Sequence, residues 1–174
     1  MNQVIDAMRS RRSCRKFDTR QVDPEALEQI VEAGLWAPSG RGRQSPHLVV
    51  VQDAGDVAEL SRMNAAILGS SGDPFYGAPT VVVVLVPADV PTNVEDGSLA
   101  LGNMMNAAHA LGVASCWIHR AKEEFESAEG KALLAKWGVK GEWRGVGHCL
   151  LGYAAEGGEA RGADRKPGRV TYVR

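Results

Sequence analysis

The 174 residues contain no apolar run near the ~20 positions a membrane-spanning helix needs, so a soluble protein is expected. Cysteine is scarce. Cys14, Cys116 and Cys149 are odd in number and widely spaced, which matches neither a disulfide framework nor a C-x-x-C metal pair and suits thiols kept reduced. Neither sign of charge dominates: the formal net charge is −1 and the pI is near 6.4, giving no overall attraction to nucleic acid or an anionic membrane. The opening "MNQVIDAMRSRR" lacks the long apolar core of a secretory signal, and the expected compartment is the cytoplasm. Several motifs are missing as well. Without G-x-G-x-x-G or G-x-x-x-x-G-K-[ST] there is no ordinary dinucleotide or ATP loop, and "GRGRQS" follows a helix and lacks the third glycine. Without G-x-S-x-G or H-E-x-x-H, serine hydrolase and zincin chemistry fall away.

With 44% hydrophobic and 24% charged residues and no linker, the chain reads as one domain over residues 1–174 with a sizeable core. Val4, Ile5 and Met8 at helical spacing predict a short N-terminal helix. Asp23 as N-cap and Pro24 after it predict a second, with Leu27, Ile30, Val31 and Leu35 on its inner face and a stop at Pro38 and Gly40. "HLVVVQ" reads as a strand, "DVAELSRMNAAIL" as a helix with Val57, Leu60, Met63 and Ile67 inward, and "GSSGDPFYGAP" as a loop. "TVVVVLV", residues 80–86, shows no polar alternation and is expected to be covered on both faces. A strand "VASCWI", one helix over "KEEFESAEGKALLAKWG", a strand "VGHCLLGY" and a strand-like "VTYV" complete the order. Helices on both sides of a mixed sheet, an α/β (α+β) sandwich, are expected.

From Gly97 through His119 no side chain is charged if the histidines are neutral, although the helical spacing persists. A helix apolar nearly all round needs enclosure, which points to a subunit interface. The four histidines, His47, His109, His119 and His148, stand far apart without paired acids and read as structural. "RRSCRKF", by contrast, places Arg11, Arg12, Arg15 and Lys16 around Ser13. Guanidinium forks match phosphate oxygens bidentately, so a terminal phosphomonoester is a fitting anion. A merely solvated surface is one alternative. Nucleic acid is another, disfavoured because only Phe17 lies close enough for stacking.

Taken in order, "RRSCRKF", "GLWAPSGRGRQSP", "FYGAP", "NMMNAAHALGVASCWI" and the late "LGY" and "DRKP" resemble the nitroreductase family of FMN-dependent flavoproteins across nearly the whole chain. The resemblance implies a three-layer α-β-α sandwich and a homodimer with two interfacial FMN sites, the arm from about residue 154 to 174 wrapping the partner. It implies that Arg11, Arg12 and Ser13 hold the phosphate and ribityl chain, that Arg15 approaches the N1–C2=O edge, and that Arg165 and Lys166 return to the same phosphate. Pro38, Ser39 and Gly40 of the other subunit would cover the ring. Backbone around Trp117, Ile118 and His119 would meet N5, and Asn64 the pyrimidine edge. Trp117 and Cys116 also suit plain core packing. Gly42 and Pro46 depart from the asparagine and aromatic frequent in the family, and a chain this short has little room for the helical insertion of larger members, so an open site is implied. The implied activity is two-electron transfer from NADH or NADPH to nitroaromatics, quinones or similar small acceptors in ping-pong order. Alternatives are a specialised enone reductase or reductive dehalogenase, or a flavin-binding module without turnover.

Overall fold

The run of valines expected at the centre is the centre. In the computed structural model, which describes residues 2–158 and 160–174, β2 (Thr80–Pro87) pairs antiparallel with β1 (His47–Val51) and with β4 (Trp143–Gly152). Met1 and Glu159, inside the expected domain and arm ranges, lie outside the described residues. β3 (Ala114–Ile118) pairs antiparallel with the far side of β4, giving the order β1-β2-β4-β3. The four strands are thus antiparallel throughout, where a mixed sheet was expected. Among the described residues, parallel pairing is confined to an isolated bridge between Ser13 and Ser115.

Alternate side chains of β2 feed two separate cores. Val81, Val83 and Leu85 pack with Leu60 and Met63 of α3 (Ala54–Leu68), Phe125 of α5 (Ala121–Glu126) and Leu133 and Leu134 of α6 (Ala128–Lys136). On the opposite face, Val82, Val84 and Val86 pack with Ile30 of α2 (Pro24–Leu35) and with Leu101, Met104 and Ala108 of α4 (Asn93–Ala110). Each fully buried valine removes apolar surface worth about 1.5–3 kcal/mol from water, and both faces are covered for that reason. A bulge opposite Val84 and Leu85 inserts Val146, whose side chain leaves room only for a glycine at position 97 of α4.

Caps fall where the sequence places them. Asp23 accepts from the backbone N–H groups of Glu25 and Ala26, and Asp53 from that of Asp56. Three expectations change. The single helix over residues 122–138 is two, because Ser127 ends α5 and its hydroxyl caps α6 at Gly130. Leu35 and Ile67, read as inward, are exposed, as are Val4, Ile5 and Met8 on α1 (Gln3–Ser10). "VTYV" forms no strand; Val170, Tyr172 and Val173 are exposed. Each of these apolar groups lies on α1, at the end of α2 or α3, or on the arm, none of which has a second layer over it.

α3 and α6 are tied at one point. Asp56 accepts from Trp137 Nε1 at 2.9 Å and from Lys136 Nζ, and these hydrogen bonds hold its carboxyl below the usual value despite burial. A lowered carboxyl stabilises the fold above its unfolded value and loses that contribution as pH falls through the folded one. The melting temperature of Asp56→Asn should therefore lie below that of the parent at neutral pH, with the gap closing as pH drops below about 4. Thermal melts across pH 2–7, as a roughly chosen range, check this; a gap that persists in acid would contradict it.

Candidate active site

The cationic segment is shaped by backbone pairing. α1 ends at Arg11, and the chain then runs extended beside β3, with Cys14 N–H donating to Ser115 O at 2.9 Å. Its other side meets the chain's late residues: Arg15 N–H donates to Gly158 O at 2.8 Å, Ala155 N–H to Lys16 O at 3.0 Å and Ala160 N–H to Ser13 O at 3.2 Å. Cys14 and Phe17 are buried, and Arg15 and Lys16 between them are exposed. The arm expected from residue 154 is thus tied to its own subunit as far as Ala160, and exposed chain begins at Arg161.

Arg11, Arg12 and Arg15 form no ion pair among the described residues. Arg12 Nη1 donates to the carbonyls of Arg9 and Arg11, both at 2.7 Å, and Gly162 passes so close that a Cβ there would sit 2.2 Å from Arg12 Nη2. Arg11 Nη1 is buried without a hydrogen-bond partner among the described residues, and so is Ser115 Oγ. The surrounding thiols feel these cations. Burial pushes Cys116 up, opposed by Arg15, Ser13 and Arg11, and burial pushes Cys149 up to about 12. An unspent guanidinium donor on a short segment that carries two further arginines is a fitting anion cradle. Arg165 and Lys166, three and four residues past Gly162, are exposed and make no polar contact among the described residues, so the structure brings their backbone neighbourhood to Arg12 without seating their charges.

Pro38, Ser39 and Gly40 lie elsewhere. They lead into a 3₁₀ turn, Gly40–Gly42, in which Arg41 (φ 56°) and Gly42 (φ 63°) are left-handed, as is Gln44 (φ 52°) beyond it. Buried Asp96 in the first turn of α4 pins this loop, accepting from Gly40 N–H at 2.8 Å, Ser45 Oγ at 2.7 Å and Thr92 Oγ1 at 3.1 Å. Burial raises the Asp96 carboxyl, but these donors, with Arg43 nearby, outweigh it and leave it below the usual range. The cationic segment is at the other end of the same helix, where Ser10 Oγ lies 2.8 Å from His109 Nε2. Asp96 and His109 are about 20 Å apart along the axis. One copy of the chain therefore separates the two halves of the expected site.

Beyond β3 the chain turns sharply. Trp117 is half-buried against Gly147, Ile118 is buried, His119 is exposed, and Arg120 is left-handed at φ 77°, a conformation costing a side-chain-bearing residue about 1–2 kcal/mol. Asn64, expected at the pyrimidine edge, is fully buried and spent on this turn. Its Nδ2 donates to His119 O at 2.8 Å and to Glu124 Oε1, and its Oδ1 accepts from Arg120 Nε at 2.9 Å. Behind it, His148 Nε2 lies 2.8 Å from Glu124 Oε2, with Phe75 and Phe125 flanking the imidazole. His148, expected without a paired acid, thus has Glu124 beside it, and neither Asp96, Arg120 nor Glu124 carries a local motif in the sequence. A separate cavity of about 830 Å³ between α3 and residues 70–79, lined by Gln21, Gln52, Val57, Ser61, Phe75 and Pro79, contains none of the expected site residues.

These arrangements have relatives. A nitroreductase from Bacteroides fragilis, solved with bound FMN, is 32% identical and superposes with a TM-score of 0.92, covering 100% of both chains. Two archaeal proteins, each provisionally named as an NADH dehydrogenase/NAD(P)H nitroreductase, match by sequence. The one from Archaeoglobus fulgidus is 30% identical over 68% of this chain and 68% of its own. The one from Methanothermobacter thermautotrophicus is 27% identical over 66% of this chain and only 59% of its own length. The pattern defining the Nitroreductase family spans residues 8–153, and with the shared fold and the clustered arginines before β3 this establishes that the chain belongs to the nitroreductase family.

Proposed function

We propose that the protein is an FMN-dependent oxidoreductase, acting as a homodimer, that moves two electrons from NADH or NADPH to nitroaromatics, quinones or similar small conjugated acceptors. The observation that carries the cofactor assignment is the buried, unpartnered Arg11 Nη1 within a guanidinium cluster that has no carboxylate in ion-pair contact among the described residues. Arg11, Arg12 and Ser13 would hold the FMN phosphate and ribityl chain, with Arg165 and Lys166 close enough along the chain to join them. Bound FMN supplies reversible hydride chemistry at N5. Arg15, exposed at the edge of the cradle, favours the more negative reduced state of the ring electrostatically, a term that grows where water is excluded. Backbone at residues 117–119 would face N5, and no side chain need transfer a proton. One open face admits reductant and acceptor in turn, hence ping-pong order.

The second copy follows from α4. A two-fold axis crossing this helix lays the two copies antiparallel, so that Pro38, Ser39 and Gly40 of one come to the cationic end of the other. Supporting this are the exposed Val4, Ile5, Met8, Leu35, Trp36 and Leu99. β1 is also an edge strand, and the exposed Val170, Tyr172 and Val173 can add to such an edge on a partner. The whole chain then acts as one FMN-binding domain. The buried thiols of Cys116 and Cys149 suit the reducing cytoplasm, and among the described residues no helix is long and apolar enough to cross a membrane.

Three measurements test this. Protein loaded with FMN should show flavin absorption that bleaches on anaerobic addition of NADH or NADPH and returns with a quinone or nitroaromatic; a spectrum indifferent to both nicotinamides would refute turnover. Arg11→Ala should weaken FMN binding about 10–100-fold while changing riboflavin affinity little, because only FMN carries the phosphate; equal losses for both ligands would move the phosphate elsewhere. Solution scattering should give twice the chain mass, and a monomer at working concentration would remove the composite site.

A further inference from the structure

The His119–Arg120 turn is gripped from behind by one side chain, Asn64 of α3, which is backed in turn by Glu124 of α5 and His148 of β4. Arg120 is left-handed, and such backbone persists in a residue with a Cβ only where its surroundings over-determine it. Asn64 supplies that constraint twice, holding residue 119 through its carbonyl and residue 120 through Nε. The orientation of the amide is single-valued. Arg120 Nε can only donate, and the His119 carbonyl can only accept, so a flipped amide would lose both bonds in a fully buried place. Neither aspartate nor leucine could make the same pair of contacts. Glu124 takes the second Asn64 hydrogen, and its other oxygen lies 2.8 Å from His148 Nε2, a close contact without hydrogen-bond alignment that backs the amide from the sheet. Asn64, Glu124 and His148 are all fully buried. None of them reaches solvent, where a ligand would be met.

We infer that Asn64, braced by Glu124 and His148, is a positioning residue that fixes the His119–Arg120 turn and thereby aims the main chain that faces the flavin's reacting edge. The inference rests on the reading above that residues 117–119 meet that edge. It removes Asn64 from direct contact with the pyrimidine and gives Arg120, unmarked in the sequence, a part in shaping the site.

The test begins without flavin. In Asn64→Leu, amide hydrogen exchange at residues 118–121 should accelerate about tenfold relative to β4, and FMN affinity should fall by about the same factor. Adding Arg120→Gly should restore most of that affinity, because glycine adopts positive φ without the pin. A general core defect at Asn64 would instead leave the double variant as weak as the single one, or weaker. If Asn64→Leu does not fold, Arg120→Met removes one of the two contacts, that to Asn64 Oδ1, from the half-buried side and should speed exchange at 118–121 in a folded protein. Folded variants with parental exchange at the turn, or a double variant without rescue, would overturn the inference. Wild-type protein that takes up no FMN would sink the functional reading alone, since the exchange measurement still decides what holds the turn.

Discussion

Backbone pairing between the two ends of the chain sets the terms for everything else in the site. Arg11, Arg12 and Arg15 repel one another and form no ion pair among the described residues, so their own electrostatics would scatter them. Main-chain hydrogen bonds to Ser115 on one side and to Gly158 and Ala160 on the other hold them together, with Cys14 and Phe17 as buried anchors. The repulsion is borne before any ligand arrives. An anion entering this cradle meets donors already gathered, which is how a fixed site gains affinity without first ordering flexible side chains.

The rigidity of that cradle is borrowed from the sheet. β3 would be an edge strand but for the Ser13 bridge, and β4 beside it is buried along most of its length between the two cores. The turn that follows β3 inherits the same support through His148. The cationic segment and the core are in this sense one structure: the valines of β2 that hold the layers together also support the platform on which the arginines and Asn64 stand.

How far the sequence disclosed this depended on the range of the signal. Local patterns were legible: Asp23 and Pro24 start α2, and the valines of residues 80–86 form the doubly covered strand. Sparse pairings over long separation were not. Glu124 and His148 belong to different elements and carry no spacing that links them, and Asp96 reads as an ordinary acid in the first turn of a helix. The left-handed backbone at Arg120 was hidden because no glycine announces it. Exposed Leu35 and Ile67 misled for a further reason. Helical periodicity identifies an apolar face but not what covers it, and in a chain that leaves α1 and the arm bare that distinction is lost.

α4 divides the site between its two ends, the Asp96-anchored loop at one and the Ser10–His109 contact at the other. In a paired assembly each pocket then draws its parts from separate polypeptides. A chain damaged only in its loop and a chain damaged only in its arginines would each be inactive as a self-pair. Mixed in one cell, they would form hybrids in which one pocket inherits both lesions and the other neither, so the proposed pairing would let two dead alleles complement each other.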